Sequence, residues 1–129
     1  RRSSAERSRM DVAAAAAAWD LMGKRDEAIE HFRRAIELNP RDDESHLHLG
    51  IVWLSQERYS QAQAEFETAL RLNSNNYLAH GHLGLVQMNQ GHLQAAEAHL
   101  RAALRLNPND ATAQENLKRV MDALGTARK

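Results

Sequence analysis

The chain has 129 residues, of which 43% are hydrophobic and 26% charged, and no cysteine. This is the composition of one globular domain, without a disulfide framework or thiol catalysis, and it is compatible with the cytoplasm. Lys and Arg number 17 against 17 Asp and Glu, a balance that argues against a general nucleic-acid binder, which needs an excess of positive charge.

Residues 1–8 form a basic lead-in, and Ser3-x-x-Glu6 fits a capping box for a first helix over 4–22. The plainer reading of this segment is a solvated approach to the helix; a contact with an acidic partner or a membrane surface is the sharper one. Its Ala13–Ala18 run is too short and too weakly apolar to cross a membrane. The chain starts with Arg1 instead of methionine, so a fragment or a processed form is expected.

Further helices are predicted over 25–38, 43–56, 60–72, 77–90, 94–106 and 111–124, with no strand. The helix over 43–56 is apolar on more than one side, through Leu47, Leu49, Ile51, Val52, Trp53 and Leu54. Glu57 to Ser60 reads as a turn, with Ser60 placed to cap the following helix. That helix carries one stripe, Ala62, Phe66, Ala69 and Leu70. Turn residues Asn73 to Asn76 end it, and Pro40 and Pro108 end the corresponding helices before and after.

The helices repeat. Asn39-Pro40, Asn73-Ser74 and Asn107-Pro108 lie 34 residues apart, and so do Phe32, Phe66 and Leu100, and Ala28, Ala62 and Ala96. A fixed period of this length signals stacked helix pairs, each burying its apolar face against the next. Gly50 and Gly84 fall mid-helix, where glycine is about 1 kcal/mol worse than alanine. Close approach of another helix is the physical reason to expect them there.

These residues carry a family resemblance. Leu49-Gly50, Trp53, Tyr59, Ala62, Phe66 and Ala69-Leu70, then Leu83-Gly84, Gly91, Ala96, Ala103-Leu104 and Pro108, resemble the tetratricopeptide repeat pattern. Trp19, Gly23, Ala28, Phe32, Ala35 and Pro40 match it in the first unit. Departures are Ala15-Ala16 for the Leu-Gly pair, Glu57 for the turn glycine, Ser74 for proline and Gln87 for an aromatic. The resemblance implies an all-α helix-turn-helix solenoid, a right-handed superhelix of antiparallel pairs. Its units are 9–42, 43–76 and 77–110, followed by a capping helix and tail over 111–129. Lys118 stands where Gly84 stood, as suits a terminal helix against which nothing further packs.

The chemistry of a site is faint. No phosphate loop, HExxH or nucleophile motif is present, so no catalytic residue, cofactor or metal site is assigned and a non-enzymatic scaffold is expected. His46-Leu47-His48 and His80-Gly81-His82 recur, but i and i+2 on a helix point apart and cannot chelate one ion. In the family, first helices line a concave groove. The resemblance therefore implies a peptide-binding surface of Met10, Ala13, Ala17, Asp20, Leu47, His48, Ile51, Leu54, Leu78, His82, Leu85 and Met88, with Gly81 beside it. The partner would be a peptide or amphipathic helix of another protein. One subgroup of the family clamps acidic chaperone tails with Lys, Asn and Arg. Ala13, Ala17, His48, Leu78 and His82 occupy those positions here, which argues against that ligand. Self-assembly into a homo-oligomer, motivated by the small residues Ala13–Ala18, is the alternative. A third reading is a regulatory or anchoring module cut from a larger, membrane-associated enzyme such as a glycosyltransferase.

Overall fold

The computed structural model describes residues 24–127. The expected helix over 4–22, its capping box, and the groove positions Met10, Ala13, Ala17 and Asp20 lie outside the described residues. Within them are six helices: α1 Arg25–Leu38, α2 Asp43–Ser55, α3 Tyr59–Leu72, α4 Tyr77–Asn89, α5 Leu93–Leu106 and α6 Ala111–Ala127. Each boundary falls within one residue of its sequence expectation, except that α6 runs three residues further. No strand occurs among the described residues.

The period acts through the links between helices. Asn39, Asn73 and Asn107 each donate a backbone N–H to the last turn, at Ala35, Ala69 and Ala103. Their carbonyls then accept from the N–H of Asp42, Asn76 and Asp110. Those three residues open the next helix. Asn76 Oδ1 accepts from Ala79 N at 3.1 Å, and Asp110 Oδ1 from Ala113 N at 3.2 Å. Such caps satisfy N–H groups that the helix leaves unpaired. Ser74 sits in this linkage without the proline of its neighbours and the geometry is unchanged. Asp43, at the start of α2, ties to the linkage that closes its own unit, accepting from Asn73 Nδ2 at 3.2 Å and Asn76 Nδ2 at 2.9 Å.

Packing follows the small residues. Ala28, Ala62 and Ala96 are fully buried, as are Phe66 and Leu100. A Cβ on Gly50 would stand 2.6 Å from the Phe66 ring, and one on Gly84 would stand 2.8 Å from Leu100 Cγ. The two glycines are where α3 and α5 press onto α2 and α4. Lys118, in the same phase on α6, is exposed. Gln87 occupies the phase of Trp53 and is buried, but its Oε1 has no hydrogen-bond partner.

Two turn expectations need correction. Ser60 does not cap α3: the helix starts at Tyr59, Arg58 is the N-cap, and no side chain closes it. Glu57 does more than weaken a contact, because it holds φ at 59°, in register with Gly91 at 83°. The chain must turn left-handed between the helices of a unit, and glutamate does so at a steric cost of roughly 1–2 kcal/mol. Glu57→Gly is therefore expected to stabilise the chain by up to about 1 kcal/mol, because the added freedom of glycine when unfolded offsets part of the relief. Thermal unfolding followed by circular dichroism should show a melting temperature a few degrees higher; a lower one would show that Glu57 is held by contacts worth more than the strain.

Candidate interaction groove

Phe32 and Phe66, buried on α1 and α3, seat one histidine each. His48 stacks on Phe32 with ring centroids 5.4 Å apart, and His82 lies against Phe66 at 5.6 Å. The Nδ1 of each ring meets the carbonyl one turn back, Glu44 at 2.6 Å for His48 and Leu78 at 2.8 Å for His82. A carbonyl only accepts, so each Nδ1 carries the hydrogen and Nε2 of a neutral ring keeps a lone pair. Burial, the largest influence, lowers the His82 pKa below 6.5 against the opposing pull of the Leu78 carbonyl and Asp110. The ring is thus neutral at pH 7, an acceptor and not a cation.

Beyond His82 lies an open depression of about 210 Å³, lined by Leu78, Gly81, His82 and Leu85 of α4 and by Asp110, Thr112, Ala113 and Asn116 at the start of α6. Leu78 is 39% exposed. The Asp110 carboxylate is engaged with the N–H groups of Thr112 and Ala113. The sequence reading treated α6 as a cap alone and missed its share of this wall. The signal was present: Thr112, Ala113 and Asn116 stand 34 residues after Leu78, Ala79 and His82.

The structure divides the expected groove residues. Leu78, His82 and Leu85 come together around the depression. Ile51 and Leu54 on α2 are half-buried against the core that α1 to α4 share, and Met88 against that of the last helices. Leu47 is a correction: it is 2% exposed, a core residue with no surface for a partner. Its flank of α2 faces the neighbouring helices, which amphipathic counting on so apolar a helix cannot distinguish from the groove side. Glu65 of α3 is not a solvated charge. It is half-buried, with Oε2 2.8 Å from His46 Nδ1. No three His, Asp or Glu converge among the described residues.

Helix pairs repeating at a fixed period, with glycines where they cross, define a helical repeat solenoid. The family model described as tetratricopeptide repeat matches residues 12–76 and 54–111, and the chain belongs to this family. No curated protein sequence matches the chain. Among solved structures, it is similar to the first repeat domain of Spaghetti (RPAP3) bound to the HSP90 peptide SRMEEVD, with 20% identity, 90% of this chain and 92% of that chain covered, and a TM-score of 0.84. The second repeat domain of human RPAP3, in complex with the HSP70 peptide SGPTIEEVD, shares 19% identity over 91% of this chain and 98% of its own, with a TM-score of 0.80. The Arabidopsis OM64 domain shares 23% over 89% and 94%, also at 0.80. At these identities the likeness establishes the fold.

Proposed function

We propose that the chain is a non-enzymatic scaffold that binds an apolar or amphipathic segment of another protein along the trough from Ile51 and Leu54 to Leu78, Leu85 and Met88. The observation that carries this is the open depression between α4 and α6, where Leu78 stands exposed beside Leu85 and Gly81. Monomeric proteins seldom leave connected apolar surface without use. The family and the peptide complexes of its structural neighbours support the general role.

The ligand differs in kind from those peptides. SRMEEVD and SGPTIEEVD are acidic at their ends. Here His48, Leu78 and His82 stand where the family resemblance puts the lysine, asparagine and arginine of a carboxylate clamp, and Asp110 adds negative charge at the wall. The His82 ring, with Nδ1 engaged by the Leu78 carbonyl, keeps Nε2 as an acceptor and suits a ligand that brings an N–H or O–H donor beside its apolar side chains.

The test is a pull-down with the wild-type chain, Leu85→Asp and Ala64→Lys in parallel, the last altering an exposed residue of α3. A partner retained by Ala64→Lys and lost by Leu85→Asp supports the groove; the reverse pattern places the working surface elsewhere. Titration with SRMEEVD should show no binding at micromolar concentration, and tight binding would overturn the distinction from an acidic-tail receptor. Light scattering reports on the alternative, since a concentration-dependent dimer lost with Leu85→Asp would make a second copy the occupant.

A further inference from the structure

His46 on α2 and Glu65 on α3 form a pair, Nδ1 to Oε2 at 2.8 Å. One period later the pair is His80 on α4 and His99 on α5, so the carboxylate has become a second imidazole. Their Nδ1 atoms lie 3.2 Å apart, with ring centroids at 5.4 Å and planes inclined by 31°. Two ring nitrogens that close require a positive centre between them, either a hydrogen on one of them or a metal ion.

The surroundings prepare these nitrogens as ligands. His80 Nε2 is 3.1 Å from the Ser74 carbonyl, which only accepts. Nε2 therefore carries the hydrogen, and Nδ1 of the neutral ring presents its lone pair. A backbone carbonyl on the far nitrogen is how proteins orient metal-binding histidines. His99 is half-buried, with the Glu67 charge nearby. Its Nδ1 presents a lone pair in the tautomer whose hydrogen sits on Nε2.

We propose that His80 and His99 form a two-histidine site for a divalent transition-metal ion, with zinc(II) as the reference ion, bound through Nδ1 of each ring and joining α4 to α5. Zinc–nitrogen bonds of about 2.0–2.1 Å at a tetrahedral angle place two nitrogens about 3.3 Å apart, against 3.2 Å here. Imidazole is a ligand suited to zinc, copper and nickel. Since no three His, Asp or Glu converge among the described residues, water completes the coordination. The site is exchangeable in consequence, unlike the four-ligand zinc sites that hold folds together. The pairing explains why the sequence did not reveal it: only His80 belongs to a His-x-His motif, and its partner His99 lies on the second helix of the same unit.

The experiment uses the whole chain without an affinity tag and zinc chloride as the probe. Calorimetric titration should give one ion per chain. Side-chain nuclear magnetic resonance should show the His80 and His99 imidazoles shifting while His31, His48 and His92 stay. His80→Gln and His99→Gln should each weaken binding about tenfold or more, since second-shell changes alone reach that size. His92→Gln should leave it unchanged. Zinc should raise the melting temperature of the wild type and of His92→Gln, and of neither ligand variant. Zinc bound equally by the ligand variants, shifts confined to other histidines, or no binding at millimolar zinc would each overturn the site and leave the pair as two rings sharing a proton. The resonance measurement needs only the wild type, so a variant that fails to fold does not shield the proposal.

Discussion

Gly84→Leu is expected to lower the stability of the chain by about 1–3 kcal/mol, as overpacking of a well-filled core does. Helix propensity alone argues the opposite, a gain of under about 1 kcal/mol, because glycine is the poorest interior residue after proline. The local geometry decides between them. A Cβ at Gly84 would meet Leu100 Cγ at 2.8 Å, Leu100 Cδ2 at 3.2 Å and the Ala96 carbonyl oxygen at 3.3 Å. Leu100 is fully buried and cannot swing clear, and the carbonyl belongs to the backbone of α5. The same helix contains its own control. A Cβ at Gly81 would find only Ala103 Cβ, at 3.9 Å, an ordinary contact. Gly81→Ala should therefore follow propensity and stabilise by up to about 1 kcal/mol. Urea unfolding of the two variants beside the wild type should move the midpoints in opposite directions. A Gly84→Leu protein with a raised midpoint would refute the close-packing account of this crossing.

Those two glycines also show what a sequence can convey. The period gave Gly84 a partner at Gly50, and a costly residue in the interior of two equivalent helices has a packing reason that can be argued without coordinates. Helix identity, order and bounds followed in the same way, since repetition averages out local ambiguity. Ser60 shows the limit. A good capping residue was read as a cap, but the left-handed turn at Glu57 sets the helix start, and position in the unit outweighed local preference. Leu47 shows another. On a helix apolar nearly all round, spacing cannot tell the side that faces a neighbour from the side that faces a ligand. The α6 wall of the depression follows from the same period, because Thr112 and Asn116 repeat the positions of Leu78 and His82 even on a terminal helix.

Binding through the trough should be lost with Leu78→Asp or Leu85→Asp while helicity is kept. The two positions differ in a useful way. Leu78 is the second residue of α4 and is 39% exposed. An aspartate there sits in the first turn, where the helix dipole favours negative charge, so the free chain loses little stability. In a complex the same carboxylate would be covered by an apolar ligand with no cation among the residues lining the depression, and an uncompensated buried charge carries a penalty of several kcal/mol. At about 1.4 kcal/mol per tenfold, that is at least a hundredfold in affinity. Leu85 is half-buried, so its aspartate should cost some stability as well. Ile51→Asp is a poorer probe, because Ile51 packs on the core that α1 to α4 share and its loss would confound binding with folding. If apolar burial drives association, affinity for the captured partner should change little between low and physiological salt, since no ion pair is there to be screened. Titration of the partner against wild type and Leu78→Asp at two salt concentrations measures both effects. Unchanged affinity for the variant, or a steep loss with salt in the wild type, would show that the ligand is held by charge on another face of the solenoid.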